Sequence, residues 1–370
     1  MIMALAALAG FTYTGLPARV VFGAGARRTV RVEAERLAIT RALVLTTPAQ
    51  TAHGREVLAE LGDRAVGMFD GAVMHTPVEV TETALAAARA LAADGVIAVG
   101  GGSAIGLGKA LAVRRGMPQI ALATTYAGSE MTPILGETER GKKTTRTSPD
   151  ILPETVIYDV ELTLDLPVGL SVTSGLNAIA HAVEALYARD TNPITSLLAE
   201  QGITALAGAL PVITRAPADP AARTSALYGA WLCGTCLGSV GMALHHKLCH
   251  VLGGAFDLPH SETHAVVLPH AIAYNAPAAP DAMARIAGAL RAAGVSEPAG
   301  GAPSTAAGLL YDLERSVGAP RALADLGLPR DALDHATDLA LAQPYWNPRP
   351  IERGAIRALL EHAFTGSRPA

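Results

Sequence analysis

The first part of the chain alternates short apolar runs with stretches of helical spacing. Ala42–Leu45, Gly95–Val99, Gln119–Ala123 and Thr155–Tyr158 read as strands. A helix through Glu56 and Glu60 follows the first, and an Ala-rich helical pattern from Thr83 to Ala93 precedes the second. Such alternation predicts a parallel sheet with helices on both faces. After Leu166-Pro167 the strand patterns stop. Helical spacing then recurs over 174–189, 193–213, 220–250, 264–274, 280–294, 303–316, 319–325, 330–340 and 351–364, mostly bounded by Pro, Gly or Asp. The Gly- and Pro-rich piece around 295–305 reads as a loop. The predicted architecture is an α/β N-terminal domain, residues 1–163, followed by an all-α C-terminal domain, residues 164–370. Two domains also suit a chain of 370 residues, longer than a single core readily fills.

Composition narrows the partners. Half of the residues are hydrophobic, 17% are charged and 4% are aromatic, which suits tightly packed Ala/Leu helices. A net charge of −4 provides no basic field and argues against nucleic acid or an anionic membrane as partner. Three cysteines make no disulfide framework, and Cys233-Gly-Thr-Cys236 lies in an uncharged apolar run, so it reads as core. The opening MIMALAALAG has no Lys or Arg before its apolar run and makes a poor secretory signal, which predicts a cytoplasmic protein. Thr224–Leu244 carries no charge and has the length of a membrane span, but Gly229, Gly234, Gly238 and Gly241 interrupt it. It is expected to be a central helix buried on all sides.

Candidate chemistry clusters in three places. Strand 95–99 runs into Gly100-Gly101-Gly102-Ser103 and a helix, where backbone N–H groups approach an anion without Cβ obstruction, as a dinucleotide pyrophosphate requires. A second loop, Thr124 to Thr132, sits at the carboxyl end of the next strand, where open α/β sheets bind ligands. Third, Leu244–His270 holds six of the eleven histidines: His245, His246, His250, His260, His264 and His270. His246 and His250 share a helix face, and Gly253-Gly254 is expected to end or loosen that helix. Asn177 and His181 repeat the four-residue spacing, so both segments are expected to line one pocket. His53, His75, His335 and His362 read as ordinary core or surface residues. A dinucleotide-binding sheet joined to a histidine-lined helical domain predicts hydride transfer in the cleft between them. The turn Thr46-Thr47-Pro48 after the first strand read, a candidate cofactor contact, holds no carboxylate to repel a 2′-phosphate, so NADH and NADPH both suit it.

These residues resemble the iron-containing (group III) alcohol dehydrogenase family. The resemblance spans nearly the whole chain: Arg19–Gly23, the loop 100–103, 124–132, Leu152–Pro167, 175–188, 245–254 and Asn347–Pro350. It implies that Gly100, Gly101, Gly102 and Ser103 hold the pyrophosphate, that Thr124 and Thr125 lie near the nicotinamide half, and that His250 lies close to the nicotinamide. The metal-dependent members hold their ion with an Asp and three His, at positions matching Asn177, His181, His246 and His260. Here Asn177 replaces the only anionic ligand, and Gly106 stands where those members have Asp. An amide binds a hard divalent cation less well than a carboxylate, so no metal is expected to be required. Both departures look like the members that reduce the C=C of maleylacetate to 3-oxoadipate in aromatic catabolism. For that reaction His181 and His246 are the candidates for enolate donor and proton donor, with His260 and Asn177 supporting them, and Lys247 and Arg349 are candidate cations for the dianion. The family implies a homodimer. The alternatives are a metal-dependent alcohol or aldehyde dehydrogenase and a non-enzymatic dinucleotide-binding protein.

Overall fold

A computed structural model describes residues 11–16, 18–140, 142–296 and 304–369. The first part contains β1 (Arg19–Gly23), α1 (Val30–Arg36), β2 (Ala42–Leu45), α2 (Thr51–Leu61), β3 (Ala65–Phe69), α3 (Val78–Ala90), β4 (Gly95–Gly100), α4 (Gly102–Arg115), β5 (Gln119–Ala123), β6 (Ile134–Glu139), β7 (Lys142–Thr147) and β8 (Thr155–Asp159). The second part is helical: α5 (Val168–Leu186), α6 (Pro193–Arg215), α7 (Pro220–Ser239), α8 (Leu244–Phe256), α9 (His260–Asn275), α10 (Pro280–Ala292), α11 (Ala306–Ser316), α12 (Ala332–Leu341) and α13 (Arg353–Thr365). The opening MIMALAALAG and most of the loop expected around 295–305 lie outside the described residues.

Six strands form a wholly parallel sheet in the order β1-β8-β5-β4-β2-β3, and β6 pairs with β7 in a separate antiparallel hairpin. The four strands read from the sequence are the inner ones, and every residue in them is buried. The edges, β1 and β3, are apolar but only half-buried, and neither is among the strands read from the sequence. Val44, Ile97 and Val99 pack against Val30, Ala34, Val57 and Leu61 of α1 and α2. On the opposite face Leu43, Leu45 and Val96 pack against Ala84, Leu85, Leu107 and Leu111 of α3 and α4. The α/β-then-helical expectation holds.

Four helical expectations need correction. The predicted 220–250 helix is two helices, because Val240 is extended (φ −140, ψ 162) and α8 leaves at 95° to α7. Nor is 224–244 buried on all sides: α7 alternates buried and half-exposed residues, and α5, buried from Ser171 through Leu186, takes the central place. Gly253-Gly254 does not end α8, which runs to Phe256 and stops where Asp257 turns left-handed (φ 54). Finally, 319–325 is not helical; Pro320 precedes a turn over 323–327 that Leu328 N–H closes on the Leu323 carbonyl at 3.1 Å. Cys233 and Cys236 are buried free thiols on α7, as expected of core residues, and burial pushes Cys236 up to about 12.

Candidate active site

The sheet supplies the first wall. β4 ends at Gly100 (φ +153) and α4 begins at Gly102. A Cβ on Gly100 would meet the Gln50 side-chain oxygen at 2.8 Å, and one on Gly101 would meet Thr125 Oγ1 at 2.8 Å. One on Gly102 would meet nothing within 4 Å. The first two glycines therefore permit a tight turn, and the third leaves the α4 N-terminus open to an anion. Gln50 Nε2 donates to Thr124 Oγ1 at 2.5 Å, tying the two βα loops together. Below them the buried Lys109 ammonium donates to the carbonyls of Ser129, Thr132 and Ile134 at 2.5, 2.8 and 2.9 Å, which fixes the loop from Thr124 onward.

The helices supply the second wall. Asn177, His181 and Glu184 lie on successive turns of the buried α5. Glu184 organises the corner between α7 and α8: its carboxylate accepts the backbone N–H of Ala243 at 2.8 Å and of His245 at 2.9 Å. These are donors that a helix start leaves unpaired, and the carboxylate also meets the positive end of the α8 dipole. Glu184 Oε2 further accepts Nδ1–H of His246 at 2.7 Å, so His246 presents Nε2 to the cleft. The His181 and His246 rings stack at 5.1 Å, and His260 and His264 lie 4.5 Å apart on α9. Asn177 Oδ1, His181 Nδ1, His246 Nε2 and His264 Nε2 are buried without a protein partner. Burial, reinforced by His246 and His260, holds His181 well below its usual pKa and therefore neutral.

Between the walls lies a cleft of about 1240 Å³. It gathers Gly101, Gly102, Ser103, Thr124, Thr125, Asn177, His181, His246, His250 and His260 from the predicted set. Two predicted cofactor contacts stand behind it. Gly100 shapes the turn, and Thr46 is buried with Oγ1 donating to the Val99 carbonyl at 2.9 Å, while its neighbour Thr47 lines the cleft. Neither expected cation reaches the cleft: Lys247 lies over the Tyr345 ring, and Arg349 donates to the Tyr274 carbonyl at 3.0 Å. Among the described side chains lining the cleft there is no Lys or Arg. His53 and His75, read as ordinary residues, line it instead, and His53 pairs with Asp165 at 3.5 Å. His335 and His362 are surface residues as expected. Sequence reasoning missed Glu184, Gln50, Asp165 and Thr76. For Glu184 the available signal is its place one turn beyond His181.

The site joins a glycine-rich wall from the sheet to a wall of imidazoles from the helices. Residues 17–160 match the iron-containing alcohol dehydrogenase domain, and 171–364 match the C-terminal domain of the Fe-containing alcohol dehydrogenase family. The chain is 57% identical to the maleylacetate reductase of a Rhizobium species, over 97% of this chain and 99% of that protein. It is 54% identical to the maleylacetate reductase of Burkholderia cepacia, over 95% and 97%. The crystal structure of maleylacetate reductase from Agrobacterium tumefaciens superposes with a TM-score of 0.92 at 57% identity, covering 98% of this chain and all of that one. The chain belongs to the iron-containing alcohol dehydrogenase family.

Proposed function

We propose that the chain reduces maleylacetate to 3-oxoadipate with NADH or NADPH, without a required metal. The carrying observation is the donor set: Asn177 Oδ1, His181 Nδ1 and His246 Nε2 sit unpartnered and buried beside the glycine loop, with no carboxylate among the residues lining that corner on α5 and α8. With a neutral amide at Asn177 in place of a carboxylate, the three imidazoles are left without an anionic partner at that corner, which weakens the hold on a divalent ion. Among the described residues, the His/Cys/Asp/Glu trio that brings ligand atoms within 4.8 Å of one another is His245, Cys249 and His264, not the histidines matching the family's metal positions.

The bound nicotinamide supplies hydride to the carbon conjugated with the substrate ketone, and the chain's residues handle the resulting charge and proton. The neutral His181 donates a hydrogen bond to the oxygen that becomes an enolate. His246, with Glu184 as its counter-ion, delivers the proton to the neighbouring carbon from Nε2. Asn177 and His260 orient the substrate. Gly101, Gly102, Ser103 and Thr47 hold the dinucleotide backbone and His250 flanks the nicotinamide, in a homodimer working in the cytoplasm.

The test is NADH consumption with maleylacetate, on enzyme treated with EDTA and then given Fe²⁺ or Zn²⁺. Turnover that ignores both treatments is expected. Turnover that dies with EDTA and returns with metal would make Asn177 a ligand and favour the metal-dependent reading, for which Glu184 already orients His246 as a carboxylate orients a metal-bound imidazole.

A further inference from the structure

A dianion in a cleft whose described lining has no Lys or Arg must be met by imidazoles, hydroxyls and backbone N–H groups. One imidazole there has no role so far. His264, one turn after His260 on α9, lines the cleft, is 1% exposed and leaves Nε2 without a partner. Its other nitrogen, Nδ1, lies 2.9 Å from Nε2 of His245, which is wholly buried behind it. Cys249 Sγ stands 3.8 Å from the same His245 nitrogen.

The cluster invites a metal reading, which its geometry opposes. Two imidazole nitrogens bound to one tetrahedral ion at ordinary bond lengths stand about 3.4 Å apart. The observed 2.9 Å is a hydrogen bond, with one proton shared between the two rings. That proton sets both tautomers. If His264 Nδ1–H donated, His245 would bury an unpaired Nδ1–H in the core. If His245 Nε2–H donates, the N–H left without a protein partner is instead Nε2–H of His264, on a ring that lines the cleft, where a substrate oxygen can accept it, and His245 keeps only an unpaired lone pair in the core.

We propose that His264 is a substrate-binding residue whose own Nε2–H donates to a carboxylate or enolate oxygen of the enedioate, its ring set by His245. The assignment rests on the maleylacetate reading above. His245 touches no substrate and acts through His264 as a positioning residue.

Two amide substitutions separate the ring's edges. His264→Asn keeps a group near Nδ1, hence the contact to His245, but has nothing at Nε2; His264→Gln places an N–H near Nε2. His264→Asn is expected to lower kcat/KM for maleylacetate by about 10- to 100-fold, the range for losing a hydrogen bond to a charged group, and His264→Gln to stay within about 5-fold of wild type. NADH affinity, read by fluorescence titration, stays unchanged in both. A loss carried by KM assigns the donor to a carboxylate; one carried by kcat assigns it to the enolate. His245→Leu loses in the same parameter as His264→Asn, and a loss in the other one removes its positioning role. The proposal is overturned if Asn equals or exceeds Gln, if neither changes turnover, or if wild-type protein holds stoichiometric metal that His264→Gln releases. Wild type that fails to turn over maleylacetate overturns the substrate reading and this assignment together; normal wild-type turnover with unaffected variants overturns only the assignment.

Discussion

A single missing side chain shapes the glycine-rich wall of the cleft. A Cβ on Gly106 would stand 2.5 Å from Thr76 Oγ1, and Thr76 itself is left-handed (φ 45), as is His75 (φ 66). Gly106 thus leaves the space into which a strained, cleft-lining loop folds. Gly106→Asp, restoring the residue of the metal-dependent members, would overpack this contact at a cost of about 1–3 kcal/mol. It is expected to weaken NADH binding about 10-fold in a fluorescence titration, and an unchanged affinity would show that the loop accommodates a side chain there. Asn177→Asp tests the opposite corner. A carboxylate among His181, His246 and His260 is expected to retain about one Fe²⁺ or Zn²⁺ per chain through dialysis, where wild type retains none. Metal analysis showing equal content in the two proteins would remove Asn177 as the reason. Both positions were legible in the sequence as departures from a pattern. Thr76 was not, because nothing in its local sequence announces a left-handed residue seated on a helix from the next βα unit.

The α7–α8 corner shows what pattern reading loses between elements. The apolar spacing runs unbroken through 220–250, and the break comes from groups distant in sequence: Asp190 accepting Gly241 N–H at 3.0 Å and Glu184 accepting those of Ala243 and His245. Periodicity is a local signal and cannot see an acceptor some sixty residues away. The edge strands β1 and β3 are half-buried and each pairs with a single neighbour, and the β6–β7 hairpin, acidic in its first strand and rich in Thr and Lys in its second, carries no long apolar run. The inner strands and the glycine loop were legible because burial on both faces and close backbone approach are written in consecutive residues. Glu184 ties helix geometry to chemistry, so Glu184→Gln should show two effects. Loss of the carboxylate at the α8 start should cost about 1–2 kcal/mol, seen as a lower thermal midpoint. Loss of the His246 counter-ion should lower kcat by about 10- to 100-fold, the usual range for a proton donor working below strength. A variant with reduced stability but full kcat would leave Glu184 as a cap alone and move the proton donor elsewhere.

Across the whole molecule, buried imidazoles set the response to acid. His181, His245 and His264 are held well below the usual histidine pKa, chiefly by burial, and burial pushes His270 from 6.5 down to about 4. His270 is 4% exposed, its Nε2 has no partner, and His362 nearby adds repulsion against a charged ring. As pH falls through 6.5 the unfolded chain takes up these protons and the folded chain does not, so stability present above that pH is lost progressively down to about pH 4. His270 alone accounts for about 2 kcal/mol between pH 6.5 and about pH 5, and the other three act in the same direction. Glu130 and Glu314 are raised by burial and oppose this: being neutral in the folded chain, they lose stability as pH rises above 4.5. The expected direction is that of the buried imidazoles, a loss in acid. The urea midpoint is therefore expected to fall from about pH 7 to about pH 5, and His270→Leu, which removes one titrating ring, to flatten part of that fall. An equal midpoint at both pH values would mean that water or an ion reaches these rings and that their burial does not govern their charge.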